Sequence, residues 1–256
     1  MNMLTLFGLI IGIGGILLGN AIEGGHVGSL IQLAAAVIVF GGTFGAILVA
    51  NTMEDFQLGI SLLMDAFRSD DEGNLNTVAD EIIRAAQLAR KESILAVELK
   101  LSTFSSDYMK NVFRFMIDGT DPAVLREVFE KEMEMDESRK LAGAKIWTDA
   151  GGFAPTIGII GAVLGLIHVM ANLTDTSALG QGIAVAFVAT IYGVGSANLI
   201  FLPIANKIRR KIQRQMEMKQ MVIDGAVAIL AGLSPYIIEE KIRAYSLKPG
   251  EKAIEL

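Results

Sequence analysis

Charged side chains are missing from four long stretches of the chain. The stretches are Met1–Ile22, Gly24–Met53, Ala150–Thr174 and Thr176–Asn206. Each can supply the roughly 20 apolar residues that a helix needs to cross a hydrocarbon core. A Lys, Arg or Asp at the bilayer centre costs about 2.5–3.5 kcal/mol on insertion scales, so these stretches are suited to lipid. The pattern predicts two transmembrane hairpins, over residues 1–53 and 150–206.

All Lys and Arg residues lie outside these hairpins. Of the 22, 12 lie between Asn51 and Ala150 and 10 lie between Lys207 and Leu256. Because basic loops tend to stay in the cytoplasm, both segments are predicted to be cytoplasmic. Four crossings return the chain to its starting side, so we expect both termini in the cytoplasm. A cleaved signal peptide is the alternative for residues 1–22, but a basic start and a small-residue cleavage site are missing there.

Both polar segments have the periodicity of helices. Helical spacing occurs in Glu54–Arg68, Leu75–Lys100 and Asp121–Trp147, with breaks at residues 70–74 and 118–121. The pair Asp121-Pro122 is typical of a helix start. The apolar run Met221–Leu233 is too short to span a membrane, so we expect it to pack on the cytoplasmic domain.

These features predict an all-α integral membrane protein with four transmembrane helices. Its helical cytoplasmic domain is formed by the loop 54–149, between the second and third helices, and by the basic, amphipathic tail 207–256. Residues 51–150 hold 20 acids and 12 bases, which argues against nucleic acid as a partner because that role needs a basic surface. The basic run Lys207–Arg214 is either a stop-transfer anchor or a site for anionic membrane lipid.

Residue types that carry catalysis are scarce. The chain has no Cys and only two His, His26 and His168, which form no metal-ligand spacing. Gly12-Ile-Gly14 lacks the third glycine of a dinucleotide fingerprint, and no phosphate-binding loop is present. We therefore expect no enzyme activity, catalytic residue, metal or cofactor, which favours a transport, channel or scaffold role.

Small residues recur along one face of three of the predicted spans. They are Gly8, Gly12, Gly15 and Gly19 in the first, Pro155, Gly158, Gly161 and Gly165 in the third, and Gly182, Ala186, Ala189, Gly193 and Ala197 in the fourth. Such faces let helices pack closely in lipid. They either pack within one four-helix unit or receive a helix from another protein.

An ion path normally requires an ionisable group inside the membrane. No Asp, Glu, Lys or Arg lies in the four stretches, so a partner would have to provide the acid. Thr190 is a lone hydroxyl on the small-residue face of the fourth span. It either bonds back to its own helix or borders a path.

The membrane segments resemble the MotA/PomA family, the A subunits of the bacterial flagellar motor stator, within the wider group that includes ExbB and TolQ. The resemblance is most specific in Ala154–Ile167, Gly182–Gly193 and Phe201–Lys207. Four spans with a large cytoplasmic loop favour the motor branch over ExbB and TolQ, which typically have three.

The resemblance implies a homopentamer around the single transmembrane helices of two B subunits in the inner membrane. Each B subunit carries a proton-accepting aspartate and a peptidoglycan-binding domain. Ion flow past the aspartate would turn the ring of A subunits, and their cytoplasmic loops would drive the rotor switch protein FliG.

The resemblance also implies functional positions. The ion pathway corresponds to Thr190, Pro155 and Pro203, with Ala162 and Ala189 across from the threonine, and we add Phe187. Sodium-driven relatives tend to have hydroxyl residues at the positions of Ala162 and Ala189, where oxygen can replace part of the ion's water shell. Both are methyl here, so we predict that H+ is transported.

The rotor contact corresponds to Arg90, Lys91 and Glu98. We expect Arg90 and Glu98 about 80° apart around one helix. Ser93 stands where relatives commonly have glycine, which leaves the geometry of this turn open.

Two other functions are compatible with the pattern. An ExbB/TolQ-like energiser would use the same proton flow for another envelope machine, and its Arg90–Glu98 region would meet no rotor. A non-conducting membrane scaffold would tolerate conservative replacement of Thr190 and Pro155.

Overall fold

The computed structural model describes residues 3–68, 72–171, 173–174 and 176–245. Within them the α-helices are α1 (Met3–Ile22), α2 (Leu33–Ala36), α3 (Gly42–Ala50), α4 (Met53–Ala66), α5 (Glu72–Lys91), α6 (Asp107–Ile117), α7 (Pro122–Ala171), α8 (Thr176–Ser196), α9 (Leu202–Leu230) and α10 (Pro235–Arg243). No strand occurs among these residues. The predicted all-α fold class is confirmed.

Four helical segments are long and apolar enough to cross a membrane. They are Thr5–Ile22, Val27–Ala50, one within α7 and one that begins at Leu179. We call them the first to fourth spans. The second span is irregular, because a 3₁₀ turn (Val27–Leu30) precedes α2 and a π turn (Val37–Gly41) joins α2 to α3. The predicted spans are confirmed, but the turn at Asp175 lies outside the described residues.

The chain divides into two compact units. Met1–Ser69 and Arg139–Arg210 form the membrane-spanning unit, and Asp70–Ser138 and Lys211–Leu256 form the second unit. These divisions fall elsewhere than the changes in charge at residues 53/54 and 149/150. Helix α4 belongs to the membrane-spanning unit, where the indole of Trp147 donates a hydrogen bond to the carbonyl of Gly59 at 2.9 Å.

The second unit has an aliphatic and aromatic core. Its largest buried side chains come from α5, α6, α7, α9 and α10, and include Ile82, Phe113, Leu125, Met221 and Ile242. The predicted break before α7 is confirmed, since Gly119 has a φ of +77° and the Asp121 carboxylate accepts the amide N–H of Ala123 at 2.8 Å. The run that begins at Met221 packs into this core, as predicted.

Two predicted boundaries are wrong. Residues 72–74, assigned to a break, begin α5, whereas residues 70 and 71 lie outside the described ranges. The helix predicted over Leu75–Lys100 ends at Lys91. Ser93 is extended, with φ −174°, and its side chain accepts the amide N–H of Ala96, which starts a separate 3₁₀ segment over Ile94–Thr103. A serine that caps the next element competes with continuation of the helix.

Candidate ion pathway in the third and fourth spans

The third and fourth spans approach each other backbone to backbone. A methyl group added to Gly158 would lie 2.9 Å from the carbonyl oxygen of Ala189, and one added to Gly165 would lie 2.7 Å from that of Gly182. Only glycine permits such an approach. In these two spans the small residues therefore pack within the four-helix unit, which is the first of the two predicted roles.

The glycines of the first span differ. No described atom comes within 4 Å of a methyl group added to Gly8, Gly15 or Gly19, and only Leu199 approaches Gly12, at 3.2 Å. The small-residue face of the first span is thus largely free of contacts within the described part of the chain.

The fourth span leaves one face open. Ile183, Phe187, Ile191 and Val194 repeat at steps of four, four and three and are all exposed, with Phe187 at 69%. Thr190 is half-buried and lies about 60° around the helix from Phe187, at the border of this open face. Its hydroxyl donates to the carbonyl oxygen of Ala186 at 3.2 Å, the back-bond that threonines commonly form in helices.

The two alanines assigned beside Thr190 have different surroundings. Ala189 is fully buried, and it packs with Ala35, Val39 and Val188. Ala162 is half-buried, and it lies seven residues after Pro155, which is also half-buried, so the two share a stripe of α7. Ala162, Pro155 and Thr190 thus border exposed surface, whereas the Ala189 methyl group faces the interior of the unit.

The two prolines lie near one contact between α7 and α9 in the membrane-spanning unit. Pro155 lies inside α7 and cannot donate to the carbonyl oxygen of Gly151. The side chain of Leu202 lies against Gly151, since a methyl group added there would be 2.5 Å from it. Pro203 follows Leu202 directly, after the π turn Ala197–Phe201. A π turn accommodates the missing donor and the ring of a proline inside a helix.

Tyr192 joins the fourth span to the start of the second, a contact that the sequence pattern did not reveal. Its hydroxyl donates to the carbonyl oxygen of Leu30 at 2.6 Å and accepts the amide N–H of Gln32 at 3.3 Å. Its ring stacks on Phe40 with centroids 5.8 Å apart. The available signal was a phenol in an apolar span, because a buried tyrosine hydroxyl usually has a hydrogen-bond partner.

The charges assigned to the rotor contact are exposed in the second unit. Arg90 and Lys91 end α5, whereas Glu98 lies in the 3₁₀ segment after Ser93. The expected 80° separation around one helix is therefore wrong, because the chain changes element between the basic and acidic positions.

Asp224 forms a buried polar cluster in the second unit that the sequence pattern did not predict. It is 8% exposed, and its carboxylate accepts hydrogen bonds from Arg126 at 2.6 Å and from the hydroxyl of Tyr245 at 2.8 Å. The ammonium group of Lys241 lies 3.5 Å away. Burial alone would raise the pKa of Asp224, but the bonds from Tyr245 and Arg126 outweigh it and hold the pKa below its ordinary value.

The same cluster shifts its partners in the opposite direction. The hydrogen bond to Asp224 raises the pKa of Arg126, and burial followed by the bond to Asp224 raises the pKa of Tyr245. Asp224 was visible in the sequence as one acid inside the apolar run Met221–Leu233. Among the described residues no group of three His, Asp and Glu side chains is arranged to hold a metal ion.

Two family models match the chain. Residues 94–221 match the MotA/TolQ/ExbB proton channel family, and residues 6–90 match the motility protein A N-terminal model. Apart from Thr5, the two matches together cover the first three spans and the fourth as far as residue 221, and they extend through both compact units.

Full-length relatives agree with these matches. Motility protein A of Bacillus subtilis (strain 168) is 31% identical, over 96% of this chain and 91% of that protein. Chemotaxis protein PomA of Vibrio alginolyticus is 29% identical, over 100% of this chain and 99% of that protein.

Two solved structures have the same fold. The C. jejuni MotAB structure superposes with a TM-score of 0.92 at 25% identity, over 100% of this chain and 99% of that chain. The flagellar MotAB stator complex of Bacillus subtilis gives 0.86 at 31% identity, over 94% of each chain. With the four spans, these matches establish that the chain belongs to the MotA/TolQ/ExbB proton channel family, as a multi-pass membrane protein of its motility protein A branch.

Proposed function

We propose that this protein is the proton-conducting A subunit of a flagellar motor stator. The observation that carries the proposal is the match of the whole chain, through both units, to a MotAB structure. A shared membrane bundle alone would suit any member of the wider family, whereas the N-terminal motility model and the second unit extend the likeness to the motor branch.

The open face of the fourth span supports a transmembrane partner. Phe187 and its neighbours at helical spacing are exposed, and the sequence of the four spans contains no Asp, Glu, Lys or Arg. We propose that the single helix of a B subunit packs on this face and carries the acid that accepts the proton. Moving one elementary charge through 100 mV provides about 2.3 kcal/mol, enough to bias one step of a ring.

We assign Pro155, Ala162, Thr190 and Pro203 to the path that the proton follows. The first three border exposed surface, and each proline leaves a carbonyl oxygen without its helical donor. The methyl side chains of Ala162 and Ala189 favour H+ over sodium, because neither can replace a water ligand of sodium.

The proposed assembly has five copies of this chain and two B subunits in the bacterial inner membrane. Both termini and the second unit are cytoplasmic in this proposal, because the basic residues flank the spans on one side. Exposed Arg90, Lys91 and Glu98 then align the complex with FliG, since complementary charges steer partners more than they stabilise them.

Cytoplasmic acidification tests the proposal directly. The chain is co-expressed with its cognate B subunit, from which the plug has been removed, and internal pH is followed with a ratiometric dye. We expect acidification that is lost when the B-subunit acid is neutralised and reduced by Thr190→Ala. Thr190→Ser is the matched control, because it keeps the hydroxyl and should conduct.

The outcomes separate the candidate functions. Flux that requires external sodium would contradict the choice of proton, and an assembled complex without any flux would support the scaffold. A swimming assay tests the assignment of the rotor contact. If the double reversal of Arg90 and Glu98 leaves swimming unchanged while flux is normal, the assignment of the rotor contact is wrong.

A further inference from the structure

An apolar groove lies within the membrane-spanning unit, between the first, second and fourth spans. Its volume is about 320 Å³. The walls come from all three spans and from the 3₁₀ turn, and they include Ile16, Leu17, Val27, Phe40, Gly195 and Leu199. The groove adjoins the open face assigned to the partner helix, since Ile191 belongs to both surfaces. It extends away from that face, because Tyr192 on its wall lies about 140° around α8 from Phe187.

The polar atoms of the groove wall are directed elsewhere. Tyr192 and Ser196 are the wall residues with hydroxyl groups, and both hydroxyls are bonded to backbone. Tyr192 bonds to Leu30 and Gln32, and the Ser196 hydroxyl donates to the carbonyl oxygen of Gly193 at 3.3 Å. The groove therefore presents hydrocarbon to its contents. An apolar cavity of about half this size stays free of water and takes up apolar molecules.

The groove opens onto exposed apolar surface of the membrane spans. Ile31 and Ile16 on its rim are 74% and 52% exposed, and the first span has no buried residue in its apolar window. In a single copy of the chain, bilayer hydrocarbon would therefore reach the rim without crossing a polar barrier. An unfilled groove would forfeit dispersion contacts with its wall, so filling it with hydrocarbon is favourable.

We propose that this groove binds one acyl chain of a membrane phospholipid. A water-sized group occupies roughly 30 Å³ in a liquid, and a methylene is of similar size, so the groove holds on the order of ten methylene groups. Val27 lines one end and follows the turn between the first two spans. The acyl chain therefore enters the groove from the membrane leaflet that borders this turn. This inference is independent of which ion the protein conducts.

Filling the groove from inside tests the proposal. No described atom lies within 4 Å of a methyl group added to Gly195 or to Gly15, so both glycines accept a side chain without a clash in the described part of the unit. Gly195→Leu places its side chain in the groove. Gly15→Leu is the matched control, because Gly15 lies on the opposite side of α1 from the groove residues Ile16 and Leu17 taken with Ile13.

The measurement is the phospholipid that the intact complex retains after exhaustive detergent exchange, by native mass spectrometry and phosphorus assay. We expect one retained phospholipid per copy of this chain in the wild type and in Gly15→Leu, and a loss of several-fold in Gly195→Leu. A spin-labelled phospholipid should lose its immobilised component in the same variant. If Gly195→Leu does not assemble, Leu17→Phe fills the groove from the first span and has the same expected result.

Two results would overturn the inference. One is equal lipid retention by the wild type and both groove-filling variants. The other is a wild type that retains no stoichiometric lipid, as expected when a neighbouring copy covers the groove. The chain contains no Cys, so Gly195→Cys labelled with a maleimide photo-cross-linker would report a covering copy as a cross-link, because the photoreactive group needs no second cysteine.

Discussion

Replacing Asp224 with asparagine should loosen α10, the last helix of the described residues, from the second unit. The change keeps the size of the side chain but removes the charge that Arg126 and Lys241 face and disturbs the bond from Tyr245. Breaking a fully buried ion pair costs about 3–5 kcal/mol. Lys241 and Tyr245 are the partners of Asp224 on and just after α10, and the Lys241 side chain is 42% exposed, so water compensates part of its loss. We therefore expect about 2 kcal/mol, near the value of one charged hydrogen bond.

Hydrogen–deuterium exchange of the purified complex measures this local loss. A loss of about 2 kcal/mol corresponds to an opening constant about 30-fold larger, so amides of α10 should exchange faster by that factor. Glu239→Gln is the matched control, because Glu239 pairs with Arg243 at 2.8 Å on a more exposed part of the same helix. An exposed pair is worth about 0–1 kcal/mol, so this variant should change exchange little.

The pH dependence provides a second test of the same reasoning. Because the pKa of Asp224 is held below its ordinary value, its contribution is present above the unfolded pKa and is lost as pH falls through the folded pKa. The difference between wild type and Asp224→Asn should therefore be constant near neutral pH and shrink below about pH 4. Equal exchange of α10 in the two proteins at neutral pH would refute the role of the cluster.

Three further substitutions test the packing of the spans, each followed by thermal unfolding of the purified complex. Tyr192→Phe keeps the ring but removes both hydrogen bonds, and should lower the stability of the complex by about 1–3 kcal/mol. An unchanged midpoint would show that these bonds do not stabilise the contact between the second and fourth spans. Gly193→Ala places a methyl group 2.5 Å from a carbonyl oxygen and should reduce assembly strongly, whereas Gly8→Ala should be neutral. The hydroxyl of buried Thr43 has no partner among the described residues, so Thr43→Val should raise stability, and a lower midpoint would reveal a hidden partner.

Several features of the fold could be predicted from local sequence. The four spans follow from the length of the charge-free stretches, because the cost of placing charge in hydrocarbon acts on each segment separately. The start of α7 follows from Asp121-Pro122 for a similar reason, since the carboxylate caps amides only two and three residues away. The family resemblance also depends on contiguous motifs, and it is confirmed by full-length relatives.

Other features required the tertiary structure. Small residues follow steps of three and four in the first, third and fourth spans, yet of these three only the last two use them for close backbone contact among the described residues. Ser93 ended α5 where periodicity predicted a continuous helix, so Glu98 left the element that carries Arg90. Neither outcome follows from spacing, because spacing identifies a face of a helix and not its neighbour.

The sequence by itself determined that this is a four-span, all-helical membrane protein of the motility protein A branch. The tertiary structure decided which side chains meet. Tyr192 bonds to a carbonyl 162 residues away, and Arg126 pairs with Asp224 98 residues away. A buried polar group is stable only when a hydrogen-bond or ion-pair partner lies beside it. The packing of the helices decides whether such a partner lies within reach.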